Sequence, residues 1–549
     1  MVKRILEACK ERSIITLNEH LWIFLLMFFV SATEILLSGK ISLLTIVTSI
    51  SCGLFESVSL FIPCLLLSKR LNIIYTSLLL IIYELSLIIA LISYGFYGKV
   101  MVSEVCVLFL ETNLNEAVEF LTGYLRHVNV LHIILGSVSL VFIVHAATFV
   151  VGLYIRSKIG ILLKWIACTY LFLLLLVPYH PELYVNIVPL QIKAVLNTRI
   201  NLSEYIKDAH LERKRDSRPD NIILIIGESH NKNHSSLYGY KKNTNPLLGK
   251  RKQNGELYVF DNVVSPATTT IPSFKYMMST YNYQSKMQWY KEQTLAQIIK
   301  ESGYTSYWFS NQGKYGFWNN VIVKYAKLFD ESFFCDELYT ENNEIKYDEE
   351  VLTLREKFEI KDRIPKFIVY HLMGSHPDFR LRSPQNFKLF DCDDYVCNND
   401  CYNSQVLAEY DNSIYYNDFV VNSIISCYQD SNSLVIYLSD HALDLFQTDC
   451  DYAGHAKANK ESTKVGVEIP FWIYVSPKFK KNNPQMVERI NNSRNKPFMT
   501  DDLIYVIMDI MGVEFKDNPN KVSEHSFLSI KYKNRIRIIN GFNIPQIRN

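Results

Sequence analysis

The stretch SLVIYLSDH, Ser433–His441, is an apolar run that ends abruptly in an aspartate–histidine pair. A second run, NIILIIGES at Asn221–Ser229, ends in the same way at the acid Glu228. Continuous runs rich in Ile and Val are typical of strands that are buried on both faces of a parallel sheet. Functional sites in such sheets form at the carboxyl ends of the strands. We therefore predict that Glu228, Asp440 and His441 converge on one edge of the sheet, where oxygen and imidazole donors together suit zinc.

Strand-like and helix-like segments alternate from residue 221 onward. The predicted strands cover 221–227, 257–264, 304–310, 366–372, 433–439 and 467–475. The predicted helices cover 272–281, 293–302, 350–360, 404–428 and 500–511. This alternation favours an α/β domain with a mainly parallel sheet and helices on both of its faces.

The first part of the chain has a different composition. Among the 549 residues, almost all long apolar runs lie before about residue 180, near 17–38, 41–68, 71–97, 131–155 and 159–178. Each run reaches the roughly 20 residues that cross a bilayer core. We therefore predict a five-helix membrane domain at 1–178, a bridging helix or linker at 179–217, and a catalytic domain at 218–549.

The basic residues predict an orientation. Four of them precede the first span, Lys69 and Arg70 lie between the second and third spans, and Arg156 and Lys158 lie between the fourth and fifth. These clusters fall on one side, which should be cytoplasmic. The domain after the fifth span then lies outside the inner face of the membrane, which in a bacterial protein means the periplasm or the outer surface. A net charge of +2 gives no support to a nucleic-acid partner.

Two stretches outside the spans carry further expectations. Residues 98–129 contain FLETNLNEAVEFLTGYL, an amphipathic pattern that favours a helix in the membrane interface near 100–128. An ordinary solvated helix is the alternative. The charged run ERKRDSRPD, which closes the bridge, is read most simply as a solvated linker.

The cysteines of the second part are even in number, which permits up to three disulfides in an exported domain. A small metal site between Cys392 and Cys401 is the weaker alternative, because paired CxxC units are missing there. The pairing stays open among Cys335, Cys392, Cys397, Cys401, Cys427 and Cys450.

Three threonines precede a predicted helix in SPATTTIPSFKYMMST, residues 265–280. Pro272 suits the first turn of a helix, so Thr268, Thr269 and Thr270 lie beside free amide donors that bind phosphate or sulfate. A threonine hydroxyl near a divalent cation can act as a nucleophile. Helix capping by threonine is the alternative interpretation.

Three histidines follow strand-like or small-residue stretches. FIVYHLMGSHP places His371 and His376 after a predicted strand, and DYAGHAKAN places His455 fourteen residues after His441. The chain holds no GxSxG elbow, P-loop or GxGxxG fingerprint, which argues against a serine hydrolase, ATP and a dinucleotide.

Together these residues resemble the bacterial phosphoethanolamine transferases, which modify lipid A and lipopolysaccharide. The resemblance begins with IILIIGESHNKNHSSLYGYKKNTNPLL at 222–248 and covers most of the chain. Five further motifs follow the family's pattern: ETNLNEA, WFSNQGKYGFWNN, HLMGSH, AEYDNSIYYND and YLSDH. The resemblance implies five membrane spans and a periplasmic domain of the alkaline phosphatase/sulfatase fold.

The resemblance also implies roles for individual residues. Thr270 would be the nucleophile and, with Glu228, Asp440 and His441, would bind the catalytic zinc. His376 and His455 would bind substrate phosphate or a second zinc, and Asn311 would contact phosphate or the headgroup. The membrane-surface residues that would contact the lipid donor are Thr112, Asn113 and Glu116.

The sequence departs from the family at several positions. The nucleophile segment has no flanking cysteines, SHPD stands where SHGP is usual, and SDHAL stands where SDHGE is usual. The zinc ligands are unaffected, but the acceptor stays open.

The implied reaction transfers phosphoethanolamine from phosphatidylethanolamine to lipid A, lipopolysaccharide core or another envelope glycan through an ester on Thr270, with one or two zinc ions. A sulfatase is disfavoured because TIPSF lacks the CxPxR-type segment. A glycerol-phosphate transferase of the lipoteichoic acid synthase type and a non-catalytic glycan-binding membrane protein are the remaining alternatives.

Overall fold

A computed structural model describes residues 201–545 apart from 207, 216–217, 315–320, 336–345, 359–364, 396–400, 451 and 456–458, with scattered positions between 27 and 83. The chain divides into two compact units, one of residues 1–112 and 121–199 and one of residues 113–120 and 200–549. In the first unit, residues 70–79 are helical. No helix among the described positions is long and apolar enough to cross a membrane. The five predicted spans fall largely outside this description, and the predicted interfacial helix with Thr112, Asn113 and Glu116 falls wholly outside it.

The second unit is built on a seven-stranded sheet in the order β3-β11-β8-β2-β7-β5-β6. Its strands are β2 (Asn221–Gly227), β3 (Leu257–Val259), β5 (Thr305–Ser310), β6 (Glu331–Phe334), β7 (Lys366–His371), β8 (Ser433–Ser439) and β11 (Phe471–Val475). The smaller strands are β1 (Leu211–Arg213), β4 (Val263–Val264), β9 (Asp444–Leu445), β10 (Ala453–Gly454), β12 (Phe498–Met499), β13 (Val513–Phe515), β14 (Ile538–Ile539) and β15 (Phe542–Asn543).

The helices lie on both faces of this sheet. They are α1 (Pro246–Gln253), α2 (Thr270–Met277), α3 (Leu295–Glu301), α4 (Val321–Ala326), α5 (Glu350–Lys357), α6 (Cys401–Ser426), α7 (Lys460–Val467), α8 (Pro477–Asn482), α9 (Pro484–Asn492), α10 (Leu503–Met511) and α11 (Lys521–His525).

The central strand β2 shows why the sheet has two buried faces. All seven of its residues are buried. Side chains alternate between the faces of a strand, so Ile222, Leu224 and Ile226 join a core with α2, α3 and α10. Ile223 and Ile225 join a second core with α5 and α6. Burying such a side chain contributes about 1.5–3 kcal/mol, so the continuous apolar run stabilises a strand between two helical layers.

The structure confirms the predicted α/β alternation, with several differences. Strand β11 runs antiparallel to β8 and β3, which an apolar run cannot reveal because it reads alike in both directions. The predicted strand 257–264 is two short strands. Elements that were not predicted include strand β6 and the helices α1, α4, α7, α8, α9 and α11. Part of the predicted solvated linker is folded, since Leu211–Arg213 pairs with β13.

The state of the cysteines corrects the prediction that this part of the chain can form up to three disulfides. Cys427 and Cys450 are exposed thiols that form no disulfide. A set of three bridges would need all six cysteines of this part of the chain, so it is excluded.

Candidate active site

Two acids meet at the carboxyl edge of the sheet because their strands are neighbours. Strands β2 and β8 are parallel and paired in register, with Gly227 opposite Ser439. The next residues of the two strands are Glu228 and Asp440, so both leave the sheet at the same edge.

Glu228, Asp440 and His441 form a compact buried cluster. One donor atom from each side chain lies within 4.8 Å of the others. Nε2 of His441 is 3.2 Å from Oε1 of Glu228 and 3.4 Å from Oδ2 of Asp440. All three residues are at most 2 % exposed, so solvent screens their charges little.

The surrounding backbone orients the donor atoms of this cluster. Oδ1 of Asp440 accepts hydrogen bonds from the amides of Ser229 (3.1 Å) and His441 (2.7 Å). Its Oδ2 is buried and receives no hydrogen bond from any described residue. Nδ1 of His441 lies 3.1 Å from the carbonyl oxygen of Ala442, which favours the tautomer that leaves Nε2 free to bind a metal.

The cluster shifts the pKa values of its members. Burial and the charge of Glu228 raise the pKa of Asp440 to about 8. Burial opposes charging of His441, but Asp440 and Glu228 outweigh it and raise the His441 pKa to about 9. Burial also acts against ionisation of Glu228, but His441 holds the pKa of that carboxyl well below its usual range. Two buried acids thus share one imidazole as their cationic partner.

Thr270 is the member of the threonine run that reaches this cluster. It is the first residue of α2. Its Oγ1 lies 3.3 Å from Oε2 of Glu228 and 3.2 Å from Nε2 of His441. Thr269 makes no side-chain capping hydrogen bond at this helix, and Oγ1 of Thr268 accepts a hydrogen bond from Asn540 instead (3.4 Å).

The two predicted phosphate-binding histidines lie near the cluster in uncharged form. The ring of His455 is centred 5.1 Å from that of His441, and its Nδ1 is buried without a hydrogen bond to any residue that the structure places. Burial and the charge of His441 lower the pKa of His455 to about 3. Burial also lowers the pKa of His376, although the charge of Glu228 opposes this.

The predicted contact residue Asn311 is bonded through its side-chain amide to a neighbouring acid. Its Nδ2 donates to Oδ1 of Asp348 at 3.0 Å. The following residue, Gln312, places Nε2 3.4 Å from Oε2 of Glu228. Sequence reasoning missed Gln312, although it belongs to the SNQ segment that drew attention to Asn311.

Asp348 was also missed, and it shapes the loop that carries His376. Its carboxylate accepts the amides of Met373 (2.7 Å) and Gly374 (2.8 Å). Gly374 has φ +53°, and a Cβ there would lie 2.7 Å from the backbone nitrogen of Glu228. Only glycine therefore lets this loop pack directly on Glu228.

Tyr410 of α6 braces the turn after Glu228. Its hydroxyl donates to the carbonyl oxygen of Ser229 and accepts from the amide of Asn231, both at 2.7 Å. Ser229 has a left-handed φ of 58°, which a non-glycine residue adopts only where its surroundings impose it. Ser229 in turn donates its Oγ to Oε1 of Glu228 at 2.7 Å.

The residues present fit a zinc ion. They offer one imidazole nitrogen, carboxylate oxygens and a hydroxyl, which are zinc donors. Among the residues that the structure describes, none donates a hydrogen bond to the buried Oδ2 of Asp440, although a buried carboxylate oxygen normally has such a donor. A cation at this point would supply the missing partner.

The chain is similar to known proteins along most of its length. Residues 220–513, more than half of the chain, match the sulfatase family. Phosphoethanolamine transferase EptC from Escherichia coli is 26% identical over 503 residues, which are 84% of this chain and 84% of that protein. The crystal structure of the C-terminal periplasmic domain of EptC from Escherichia coli in complex with Zn superposes with a TM-score of 0.55 at 26% identity, covering 61% of this chain and 93% of that one.

A membrane-protein structure shares the fold over almost the whole chain. The integral membrane protein lipooligosaccharide phosphoethanolamine transferase A (EptA) from Neisseria meningitidis has a TM-score of 0.60 at 18% identity, covering 94% of this chain and 98% of that one. The chain belongs to the sulfatase family, and relatives named phosphoethanolamine transferases match it along most of its length.

Proposed function

We propose that this enzyme transfers phosphoethanolamine from phosphatidylethanolamine to a glycolipid or glycan of the bacterial envelope, lipid A or lipopolysaccharide core among them, with Thr270 as the nucleophile. The contact of Thr270 Oγ1 with both Glu228 and His441 carries this proposal. It places a hydroxyl that can be deprotonated at a buried, metal-type cluster and at the start of a helix.

The start of α2 supports binding of the donor phosphate. The first turn of a helix presents amide hydrogens without intrahelical partners and the positive end of the helix dipole. Both favour a phosphate group next to Thr270. Near the cluster, His376 and His455 can contact the phosphate oxygens or bind a second zinc ion, and Gln312, which lies 3.4 Å from Glu228, can contact the phosphate as well. Asn311 would contact phosphate or the headgroup, as the family resemblance implies.

Glu228, Asp440, His441 and Thr270 would hold the zinc ion. When bound, zinc would lower the pKa of the Thr270 hydroxyl and offset charge that develops on the phosphoryl oxygens. The residues themselves position the hydroxyl, exclude water and keep the His441 imidazole oriented through Ala442.

The transfer balances in two displacements. Oγ1 of Thr270 forms a bond to phosphorus while the bond from phosphorus to the diacylglycerol oxygen breaks, and the proton lost by Thr270 is matched by the one that diacylglycerol gains. An acceptor hydroxyl or phosphate then bonds to the same phosphorus. The bond to Thr270 breaks, and the hydroxyl of Thr270 regains a proton, from the acceptor where that is a hydroxyl and from water where it is a phosphate dianion.

The cellular setting is part of the proposal. Five spans at 1–178 with the basic loops inside would place residues 218–549 in the periplasm of an inner membrane. Thr112, Asn113 and Glu116 would then contact the amine and phosphate of the lipid donor, as the family resemblance implies. The naming of the Neisseria structure as an integral membrane protein and of the E. coli domain as periplasmic supports this setting.

Mass spectrometry of membrane lipids and envelope glycans tests the function. Cells with the wild-type protein should show a mass gain that matches phosphoethanolamine, and this gain identifies the acceptor. Thr270→Ala should lower transfer by roughly a thousandfold or more, as loss of a nucleophile does. Thr269→Ala is the matched control and should retain transfer, because Thr269 makes no side-chain capping bond. A gain matching phosphoglycerol, or full transfer by Thr270→Ala, would contradict the proposal.

A further inference from the structure

A stack of tyrosines lies beside the helix that begins with Thr270. The ring of Tyr276 in α2 stacks on those of Tyr281 and Tyr283, with centroids 4.8 and 5.0 Å apart. The hydroxyl of Tyr283 donates to the carbonyl oxygen of Pro266 at 2.9 Å. The stack is therefore fixed directly to the segment that leads into the nucleophile.

Further exposed apolar side chains follow the stack along the chain, and Lys275, the neighbour of Tyr276, lies over the ring of Trp289. Met287 is 55% and Tyr283 is 42% exposed. Trp289 and Tyr290 pack against the core with part of their area and leave the rest open. We define the aromatic surface by its members, which are Tyr276, Tyr281, Tyr283, Met287, Trp289 and Tyr290. Rings with an apolar body and a polar tip are enriched where a protein meets both lipid and water.

Lysines lie against the rings of this surface, and the acids beside it are Glu204 in the turn that carries Tyr205, Glu292, and Asp501, which accepts the amide of Tyr283. From Asn262 to Lys291 the sequence contains no acidic residue. Nζ of Lys275 lies 5.3 Å from the Trp289 ring centre and Nζ of Lys291 lies 5.8 Å from that of Tyr290. The next acid, Glu292, accepts a hydrogen bond from Thr280 at 2.9 Å. Lysines interleaved with aromatic rings complement a layer of anionic lipid headgroups.

The point at which the chain enters the domain also lies here. Tyr205, in the 3-10 turn Leu202–Tyr205, contacts Tyr290 edge-on at 5.0 Å. The adjacent Ile206 is 49% exposed. The last predicted span ends at residue 178, so residues 179–201 connect a predicted membrane segment to the turn that carries Tyr205.

We infer that the aromatic surface lies in the phospholipid headgroup layer and brings Thr270 to the donor. The inference rests on the proposed function for the identity of that donor. Drawing the acyl chains of a phospholipid out of the bilayer costs free energy for each methylene group. A nucleophile held at the headgroup layer reaches the phosphate without that cost, so the surface beside α2 governs access to the membrane-embedded donor.

Leu389 offers a matched control site. It is 57% exposed, close to the value for Met287. Its amide donates to Asn412 of α6 at 2.7 Å, and α6 packs on the opposite face of the sheet from α2. A substitution at Leu389 therefore controls for the effect of changing any exposed apolar residue, because it leaves the aromatic surface unchanged.

Fluorescence quenching in vesicles tests the inference. The full chain carrying Met287→Trp or Leu389→Trp is reconstituted in phosphatidylethanolamine–phosphatidylglycerol vesicles, with and without brominated acyl chains. After subtraction of the wild-type signal, the tryptophan added at position 287 should be quenched by brominated lipid and protected from aqueous iodide. The tryptophan added at position 389 should show the reverse.

Each other outcome overturns the inference. Equal quenching at both positions would mean no preferred membrane-facing surface. Protection of position 287 from both quenchers would mean that protein, not lipid, covers it. These readouts need no turnover, so failure of the wild type to transfer phosphoethanolamine would refute the proposed function separately.

A kinetic comparison adds a second readout. The measured quantity is a ratio of two transfer rates. The first rate is that from phosphatidylethanolamine embedded in vesicles, and the second is that from a dispersed short-chain phosphatidylethanolamine. Met287→Asp should lower this ratio at least several-fold relative to Leu389→Asp, because a carboxylate opposes docking on anionic headgroups. An unchanged ratio would contradict the role of the surface.

Discussion

Two clusters of buried acids in the same domain have opposite designs. Glu228 and Asp440 share His441, and Oδ2 of Asp440 lacks a hydrogen bond among the described residues. At the start of α10, Asp501 and Asp502 are equally buried but share the guanidinium of Arg535.

The second cluster is closed by protein donors. Oδ1 of Asp502 accepts from Asn282 at 3.0 Å, and Oδ2 of Asp501 accepts from the amide of Tyr283 at 3.3 Å. The remaining oxygens face Arg535. Every carboxylate oxygen there has a partner, so the cluster ties the C-terminal segment to the domain. The comparison teaches that buried charge alone does not mark a site, whereas buried charge left open to a cation does.

Among these variants, Asp440→Asn should have the largest effect on the open cluster. It removes an anionic zinc ligand, so zinc affinity should fall by more than the roughly 10–100-fold that loss of an outer partner costs, and transfer should be lost. The zinc-free variant should be at least as stable as the zinc-free wild type. Burial and Glu228 disfavour the charged form of Asp440 and raise its pKa, and asparagine cannot carry that charge. Zinc titration and thermal unfolding with and without zinc measure both effects. Zinc affinity that falls equally in Asp501→Asn would remove the distinction between the clusters.

Arg535→Met should show the opposite pattern. It leaves Asp501 without its cation and Asp502 with only His525, whose Nδ1 lies 2.9 Å from Oδ2 of Asp502. The free energy of unfolding should therefore fall, by at most about 3–5 kcal/mol. Zinc affinity should stay within about twofold of wild type. Chemical denaturation and zinc titration check these outcomes. Lys533→Met is the control, because its pair with Glu524 is exposed and should change stability little. A stable Arg535→Met variant would contradict the structural role of this cluster.

Tyr410→Phe should have a smaller effect on the open cluster than the two changes above. Without the hydroxyl, the turn that positions Glu228 loses two hydrogen bonds, and zinc affinity or activity should fall about 10–100-fold. Tyr428→Phe is the matched control, since its buried hydroxyl bonds that of Tyr370 at 2.7 Å on another part of the sheet. Equal zinc affinities in the two variants would show that Tyr410 does not position the site.

The sequence predicted those parts of the site that follow directly from strand ends. Glu228, Asp440 and His441 were found because two buried parallel strands must deliver their next residues to one edge. The direction of β11 was not predictable, since its apolar run carries no sign of direction. Gln312, Asp348 and Tyr410 were missed because their contacts depend on how distant loops and α6 fold over β2. The choice of Thr270 within the threonine run came only from the resemblance, and the start of α2 gives it a physical basis.

The central claim is that Thr270, beside an acid cluster left open for a cation, attacks the donor phosphorus. Mass analysis of the Thr270-containing peptide tests it most directly, after the zinc-loaded protein meets phosphatidylethanolamine without an acceptor. We predict a phosphoethanolamine adduct on Thr270 that is absent from Thr270→Ala and from Asp440→Asn. An adduct on another residue, or one that forms unchanged in Asp440→Asn, would contradict the account.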